Sequence, residues 1–290
     1  SNPHAILDSS QHVIAVLVGR ASGTFDGAIL EATAEFQRHS ENLSNNAQFP
    51  SGNRPARGQF QAVITGISYG GGQPMPMQSA VPSAYKTAEE ELRKSPAMQR
   101  LAGFQSRVFE TYFPKLHQYY TASLSKLYSH FPTLQRPYES SVMPAAAFNL
   151  GPATVCRPHR DSANLSFGLC PITALGNFDP KTGGHIVLEE LRLVITFPPG
   201  ATVLIPSAVI THSNTKIKEG ETRYSFTQYA AGALFCYVQN GMQSESQTMK
   251  DLAGPSNREQ LLRHKEARRE RWSQGVDLFP KVSDYHLSSN

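Results

Sequence analysis

Cysteine is scarce in this chain, and long apolar runs are missing. Only Cys156, Cys170 and Cys236 occur among 290 residues. An odd, widely spaced set does not make a disulfide framework, so stability must come from a packed core, as in a reducing compartment. No apolar stretch approaches the ~20 residues that cross a bilayer. The longest near the start, Val13 to Val18, is too short for a span and lacks the flanks of a secretory signal. The expectation is an intracellular protein with no membrane partner. Charge is sparse too: 17% of residues are charged, and 27 Lys+Arg against 23 Asp+Glu leave +4, with a pI near 8.9. Such a mild excess permits an anionic partner without requiring one. Gly70, Gly71 and Gly72 are not followed by the Gly-Lys-Ser/Thr of a phosphate loop and read as a flexible turn. Cys156 and His159 have the spacing of half a zinc site, but no second pair of ligands lies nearby, which argues against structural zinc. There is no internal repeat.

What is present suits a globular protein, with 39% hydrophobic residues and 20 prolines and 21 glycines spread along the chain. HVIAVLVGR (12–20) reads as a strand, and DGAILEATAEFQRH (26–39), with an aspartate at its start, as a helix. Residues 40–59 are polar and rich in breakers. They read as a long loop carrying Arg54 and Arg57, either simply solvated or a cationic loop over a ligand. QAVITGISYGGGQ (61–73) is a strand running into the glycines, and residues 87–131 are the most helical part. From Pro144 to Gly241 the pattern changes to short apolar runs between turn residues: AAFNLG, ATVCRPH, NLSFGL, HIVLEEL, RLVITF, TVLIPS, VITHSN and RYSFTQYA. That spacing indicates an antiparallel sandwich or barrel. NREQLLRHKEARRERW (257–272) reads as an amphipathic basic helix, on the surface or against nucleic acid.

The chemistry concentrates in RPHRDSANLSFG (157–168), where His159 and Asp161 stand two apart and Asn164 follows. A lone His-x-Asp is common. Here it is joined by His212 in VITHSN, and by Arg223 and Ser225 in GETRYSF. Two neutral imidazoles and a carboxylate on one face of a metal leave the other face open, the facial triad of non-haem Fe(II) oxygenases. On a strand, residues two apart point the same way, so His159 and Asp161 can reach one metal and His212 must come from another strand. Arg223 offers a planar fork for a carboxylate, and Ser225 adds a hydroxyl on the same side. His185 reads as a structural residue at a turn-to-strand junction, and Tyr224 as a packing residue on the face opposite Arg223.

With this set in view, the sequence resembles the 2-oxoglutarate/Fe(II)-dependent dioxygenases. TGGHIVLEEL (182–191) looks like the family's Gly-Gly turn and strand, and FPPGATVLIPS (197–207) like the strands leading to the second histidine. The resemblance covers about residues 145–239 and implies an α+β fold, a double-stranded β-helix (jelly-roll) core with flanking helices. Residues 1–140 would form a helical and strand support packed on the core, 141–241 the catalytic core, and 242–290 a basic helix and tail, all in one compact domain. The cofactors implied are Fe(II) on His159, Asp161 and His212, the co-substrate 2-oxoglutarate on Arg223, Ser225 and Asn149, and O2. HRDSAN (159–164) is similar to the His-Arg-Asp-x-x-Asn signature of the TET/JBP branch, which oxidises modified DNA bases. That points to compact TET/JBP-like proteins, since the long insert and cysteine-rich region of the TET enzymes are missing.

The resemblance therefore implies oxidation of 5-methylcytosine or N6-methyladenine in DNA, by a nuclear protein acting as a monomer on a duplex with a flipped base. Asn164 would read the base, or else serve only as a turn-stabilising amide. Arg160, Arg54, Arg57 and the segment 258–271 are the expected phosphate contacts, although Arg160 would point away from the metal and suits a surface ion pair equally well. Two alternatives stand beside this: a 2-oxoglutarate-dependent hydroxylase of a small molecule or protein side chain, and a jelly-roll binding protein without turnover.

Overall fold

A computed structural model describes residues 3–21, 23–46 and 57–285. Its centre is an eight-stranded sheet facing a small three-stranded one. In chain order the strands are β1 (His4–Leu7), β2 (Val13–Arg20), β3 (Ala62–Ser68), β4 (Met77–Gln78), β5 (Ala145–Asn149), β6 (Cys170–Asn177), β7 (Ile186–Leu188), β8 (Leu193–Ile195), β9 (Ala201–Ile205), β10 (His212–Asn214) and β11 (Thr222–Tyr229). The large sheet runs β1-β2-β9-β6-β11-β5-β3-β4 and the small one β10-β7-β8. All the strand pairs are antiparallel. In the N-terminal region, β2 and β3 extend the core sheet on either side, β2 beside β9 and β3 beside β5.

Alternation along the central strands separates two environments. Tyr224, Phe226, Phe148 and Leu175 point to one face and pack under helices α1 (Phe25–Asn46), α2 (Lys86–Lys94) and α3 (Pro96–Tyr112). Phe25, Ala28, Ile29, Ala32, Phe36 and Leu43 make the buried stripe of α1 at helical spacing. Pro96 opens α3 behind Ser95, whose hydroxyl accepts the Met98 N–H at 3.2 Å. The opposite face carries Ala174, Val203 and Ile205, which meet Ile186 and Leu188 of the small sheet. A third cluster joins α4 (Pro114–His130) to α5 (Gly232–Gln239) through Tyr120, Leu124, Leu234 and Phe235.

Several expectations are corrected. Residues 40–46 belong to α1 and not to a loop; the rest of that loop up to residue 56 lies outside the described residues. ATVCRPH and NLSFGL are not strands, because their backbone is used in turns and single bridges. The central strand β6 takes their place. Pro171 disguises it, and is tolerated because pairing with β11 begins only at Ile172. The segment after β11 is the helix α5. The basic helix α7 (Arg258–Val276) follows the short α6 (Glu245–Asp251) and is not amphipathic, since Gly275 is its one buried residue. A Cβ at Gly275 would come within 2.2 Å of the Phe167 ring, so that close contact needs glycine. Among the described residues no helix is long and apolar enough to cross a membrane.

Candidate metal centre and active site

His159 and Asp161 do not sit on a continuous strand. His159 forms one isolated bridge with His212, its N–H donating to the His212 carbonyl at 3.1 Å and the His212 N–H returning to the His159 carbonyl at 2.9 Å. Asp161 lies in a turn whose N–H donates to the Ser207 carbonyl at 2.8 Å. The expected convergence is reached by a different backbone path. His159 Nε2 is 3.8 Å from Asp161 Oδ1, and His212 Nε2 is 3.9 Å from Asp161 Oδ2. One ligand atom from each of the three residues lies within 4.8 Å of the others.

The donor set fits a divalent metal. Nδ1 of His159 is 2.7 Å from the Arg157 carbonyl, and Nδ1 of His212 is 3.0 Å from the Ile210 carbonyl. Each carbonyl takes the ring proton on Nδ1, which leaves the lone pair on Nε2, the nitrogen facing Asp161. Burial holds the His212 imidazole below its ordinary pKa and so favours the neutral ring that a metal accepts. Apart from its ion pair with Arg57, Asp161 Oδ1 is buried and has no hydrogen-bond partner among the described residues.

The same cavity reaches the end of β11. Arg223, Ser225 and Thr227 face into it, with Asn149 from β5 and the apolar walls Ile172, Ile186 and Phe60. Asn149 stands opposite Ser225 in register, and its Nδ2 donates to Ser225 Oγ at 2.8 Å. Arg223 is 2% exposed. Its Nη1 donates to the Thr154 carbonyl at 3.1 Å, while Nε has no partner among the described residues. No ion pair to Arg223 is formed among the described residues, and its nearest aromatic face is Phe178, 6.0 Å away. Burial lowers its pKa to about 10, so it remains a cation at neutral pH. A buried cation without a counter-ion is costly unless an anion joins it.

The other expected residues divide. Asn164 braces a turn: its N–H donates to the Asp161 carbonyl at 2.8 Å and its Nδ2 to Ser207 Oγ at 3.3 Å. Arg160 points away from the triad to Glu190 and donates from Nε to Thr211 Oγ1 at 2.9 Å. Arg57 does not stand free at a rim, since its Nη2 lies 2.8 Å from Asp161 Oδ1. Arg54 lies outside the described residues. His185 is structural, pairing with Thr215, and Tyr224 packs against Phe36 with ring centroids 6.0 Å apart. At Gly183 in the Gly-Gly turn a Cβ would meet the Lys216 carbonyl at 2.3 Å. Sequence reasoning missed Asn214, two residues after His212. Its side chain accepts the Cys156 N–H at 2.8 Å and donates to the Thr154 carbonyl at 3.1 Å, bracing the loop that Arg223 also holds. The period of two along β10 placed it on the His212 side. Phe60 left no signal of its role.

No protein-family model and no curated protein matches the chain. Among solved structures it is similar to NgTET1 in complex with 5mC DNA, with a TM-score of 0.52 and 15% identity over 79% of this chain and 76% of that one. A prolyl-4-hydroxylase of Pseudomonas putida aligns with a TM-score of 0.39 and 13% identity over 77% and 94%. An oxidoreductase of the 2OG-Fe(II) oxygenase family from Burkholderia pseudomallei gives 0.34 and 14% over 73% and 92%. At 15% identity the first of these establishes the fold. The chain has the expected jelly-roll core with flanking helices, and a His-Asp-His triad stands assembled inside it.

Proposed function

We propose that the protein is a 2-oxoglutarate- and Fe(II)-dependent dioxygenase that oxidises a methylated base in DNA. The observation that carries the enzymatic part is Arg223: a buried guanidinium without a counter-ion among the described residues, in one cavity with a metal-ready triad. His159, Asp161 and His212 would hold Fe(II). Arg223 and Ser225, with Ser225 oriented by Asn149, would hold the far carboxylate of 2-oxoglutarate. When bound, iron and co-substrate supply an O2-dependent hydroxylation in which a C–H of the substrate methyl becomes C–OH and 2-oxoglutarate becomes succinate and CO2. The chain's own part is to bind and orient. Carbonyls of Arg157 and Ile210 fix the imidazole protons, Asn214 braces the co-substrate side, and Ile172, Ile186 and Phe60 give the cavity apolar walls that limit water.

The DNA part of the reading is supported by the His-Arg-Asp-x-x-Asn motif and by the fold shared with a protein solved in complex with 5mC DNA. A base in a duplex reaches such a cavity only when flipped, at a cost on the order of a few kcal/mol. Asn164, on the Asp161 turn, is the candidate base contact. Phosphate contacts fall to α7, where Arg258, Lys265 and Arg269 are exposed and carry no ion pair among the described residues. The fold's other bearers keep a second reading open, hydroxylation of a small molecule or protein side chain. Mass spectrometry of matched duplexes carrying 5-methylcytosine, N6-methyladenine or no methyl, incubated with protein, Fe(II) and 2-oxoglutarate, separates the two. Oxidation of one methylated duplex supports DNA. Succinate release without any change in the DNA rejects it and keeps the oxygenase.

A further inference from the structure

Arg57 reaches the metal centre from a part of the chain remote from both histidines. Its Nη2 lies 2.8 Å from Asp161 Oδ1, its side chain half exposed at 49% and that of Asp161 at 7%. The backbone holds it there. The Arg57 carbonyl accepts the Arg157 N–H at 2.7 Å, and at the next residue, Gly58, a Cβ would meet the Val155 carbonyl at 2.3 Å. The segment is thus seated on the strip that leads into His159. Beyond this 2.8 Å ion pair with Arg57, Asp161 Oδ1 is buried and has no hydrogen-bond partner among the described residues. Among the described residues Arg57 is the one Lys or Arg side chain paired with this carboxylate.

We infer that Arg57 is a positioning residue for the ligand carboxylate of Asp161, fixing its orientation between the two imidazoles. This rests on the metal-site part of the proposed function and not on the DNA part. Two effects oppose each other. A cation beside a metal site repels the metal, but at half exposure that repulsion is screened by solvent. Losing a partner that orients a metal ligand costs about 10–100-fold in affinity. Orientation therefore dominates, and Arg57 strengthens metal binding although it carries positive charge.

Co(II) titration without co-substrate, followed by visible ligand-field absorption, tests this on the wild type, Arg57→Ala and Arg57→Lys. The expected result is a Kd raised about tenfold or more in Arg57→Ala, with a changed band shape. Arg57→Lys should recover part of the loss, because it restores the charge but not the planar fork. Wild-type protein that binds Co(II), with Arg57→Ala binding it equally or more tightly, overturns the inference while leaving the metal site standing. Wild-type protein that binds no Co(II) overturns the metal site and the inference with it. Should Arg57→Ala fail to fold, Arg57→Gln takes its place, with Lys expected to bind more tightly than Gln; equal Kd values for wild type, Lys and Gln overturn the inference.

Discussion

His159 and His212 hold each other in place through the main chain: each N–H donates to the other's carbonyl, at 3.1 and 2.9 Å, and the ring centroids stand 4.3 Å apart. Two triad residues separated by more than fifty positions are thus set by backbone bonds that replacing either imidazole with a methyl group leaves in place. The main-chain positions of His159 and His212 are part of the fold.

His159→Ala separates ligation from folding. The variant should keep its thermal transition within a few degrees of wild type, because the backbone bridge persists, while Co(II) or Fe(II) binding is lost. Calorimetry with a metal titration reads both. Retained metal binding would show that His159 is not a ligand.

Arg223→Ala should leave metal binding intact and weaken 2-oxoglutarate binding. A charge-assisted hydrogen bond is worth about 1.5–3 kcal/mol, so the loss is roughly 10–100-fold. Co-substrate titration of the metal-loaded protein measures it. An unchanged requirement for 2-oxoglutarate would sink the role given to Arg223.

Gln105 lies at the other face of β11, fully buried. Its Nε2 donates to Thr173 Oγ1 at 2.8 Å and to the Phe226 carbonyl at 3.3 Å, and its Oε1 accepts Gln228 Nε2 at 2.9 Å. Gln105→Ala leaves part of that network unpaired and opens a cavity, for a loss of about 2–4 kcal/mol. Urea unfolding should show a lower midpoint with the same slope; an unchanged midpoint would mean water or relaxation satisfies the network.

Much of this was legible in the sequence, for definite reasons. The α1 stripe follows the period of 3.6, and β11 the period of 2 that puts Arg223, Ser225 and Thr227 inside and Tyr224, Phe226 and Gln228 under the helices. What was not legible depends on contacts between distant segments. Pro171 hid β6, because its tolerance depends on where the neighbouring strand begins to pair. The His159–Asp161 segment resembled a strand since spacing reports which residues converge, not the backbone that brings them together. Arg57 read as a loop cation because only the folded chain brings it to Asp161.

Glu190 gives a pH prediction. Burial raises its pKa, but hydrogen bonds from Thr211 and Arg160 outweigh this and hold it at about 2. A carboxylate depressed in the folded state contributes stability above its unfolded value, near 4.5, and that contribution is lost as pH falls through about 2. The melting temperature of wild type should therefore fall more steeply than that of Glu190→Gln between those values. The difference is small, because the pair is solvent-exposed. Parallel slopes would show that the Glu190 carboxylate does not stabilise the fold.

Succinate release reads out oxygenase chemistry at the triad. Wild type and Asp161→Ala are incubated side by side with Fe(II), 2-oxoglutarate, ascorbate and air, with and without methylated duplex. Wild type should give O2-dependent succinate, and the variant none above background. Folded, metal-loaded wild type that releases no succinate under any of these conditions would contradict oxygenase chemistry and leave a jelly-roll binding protein.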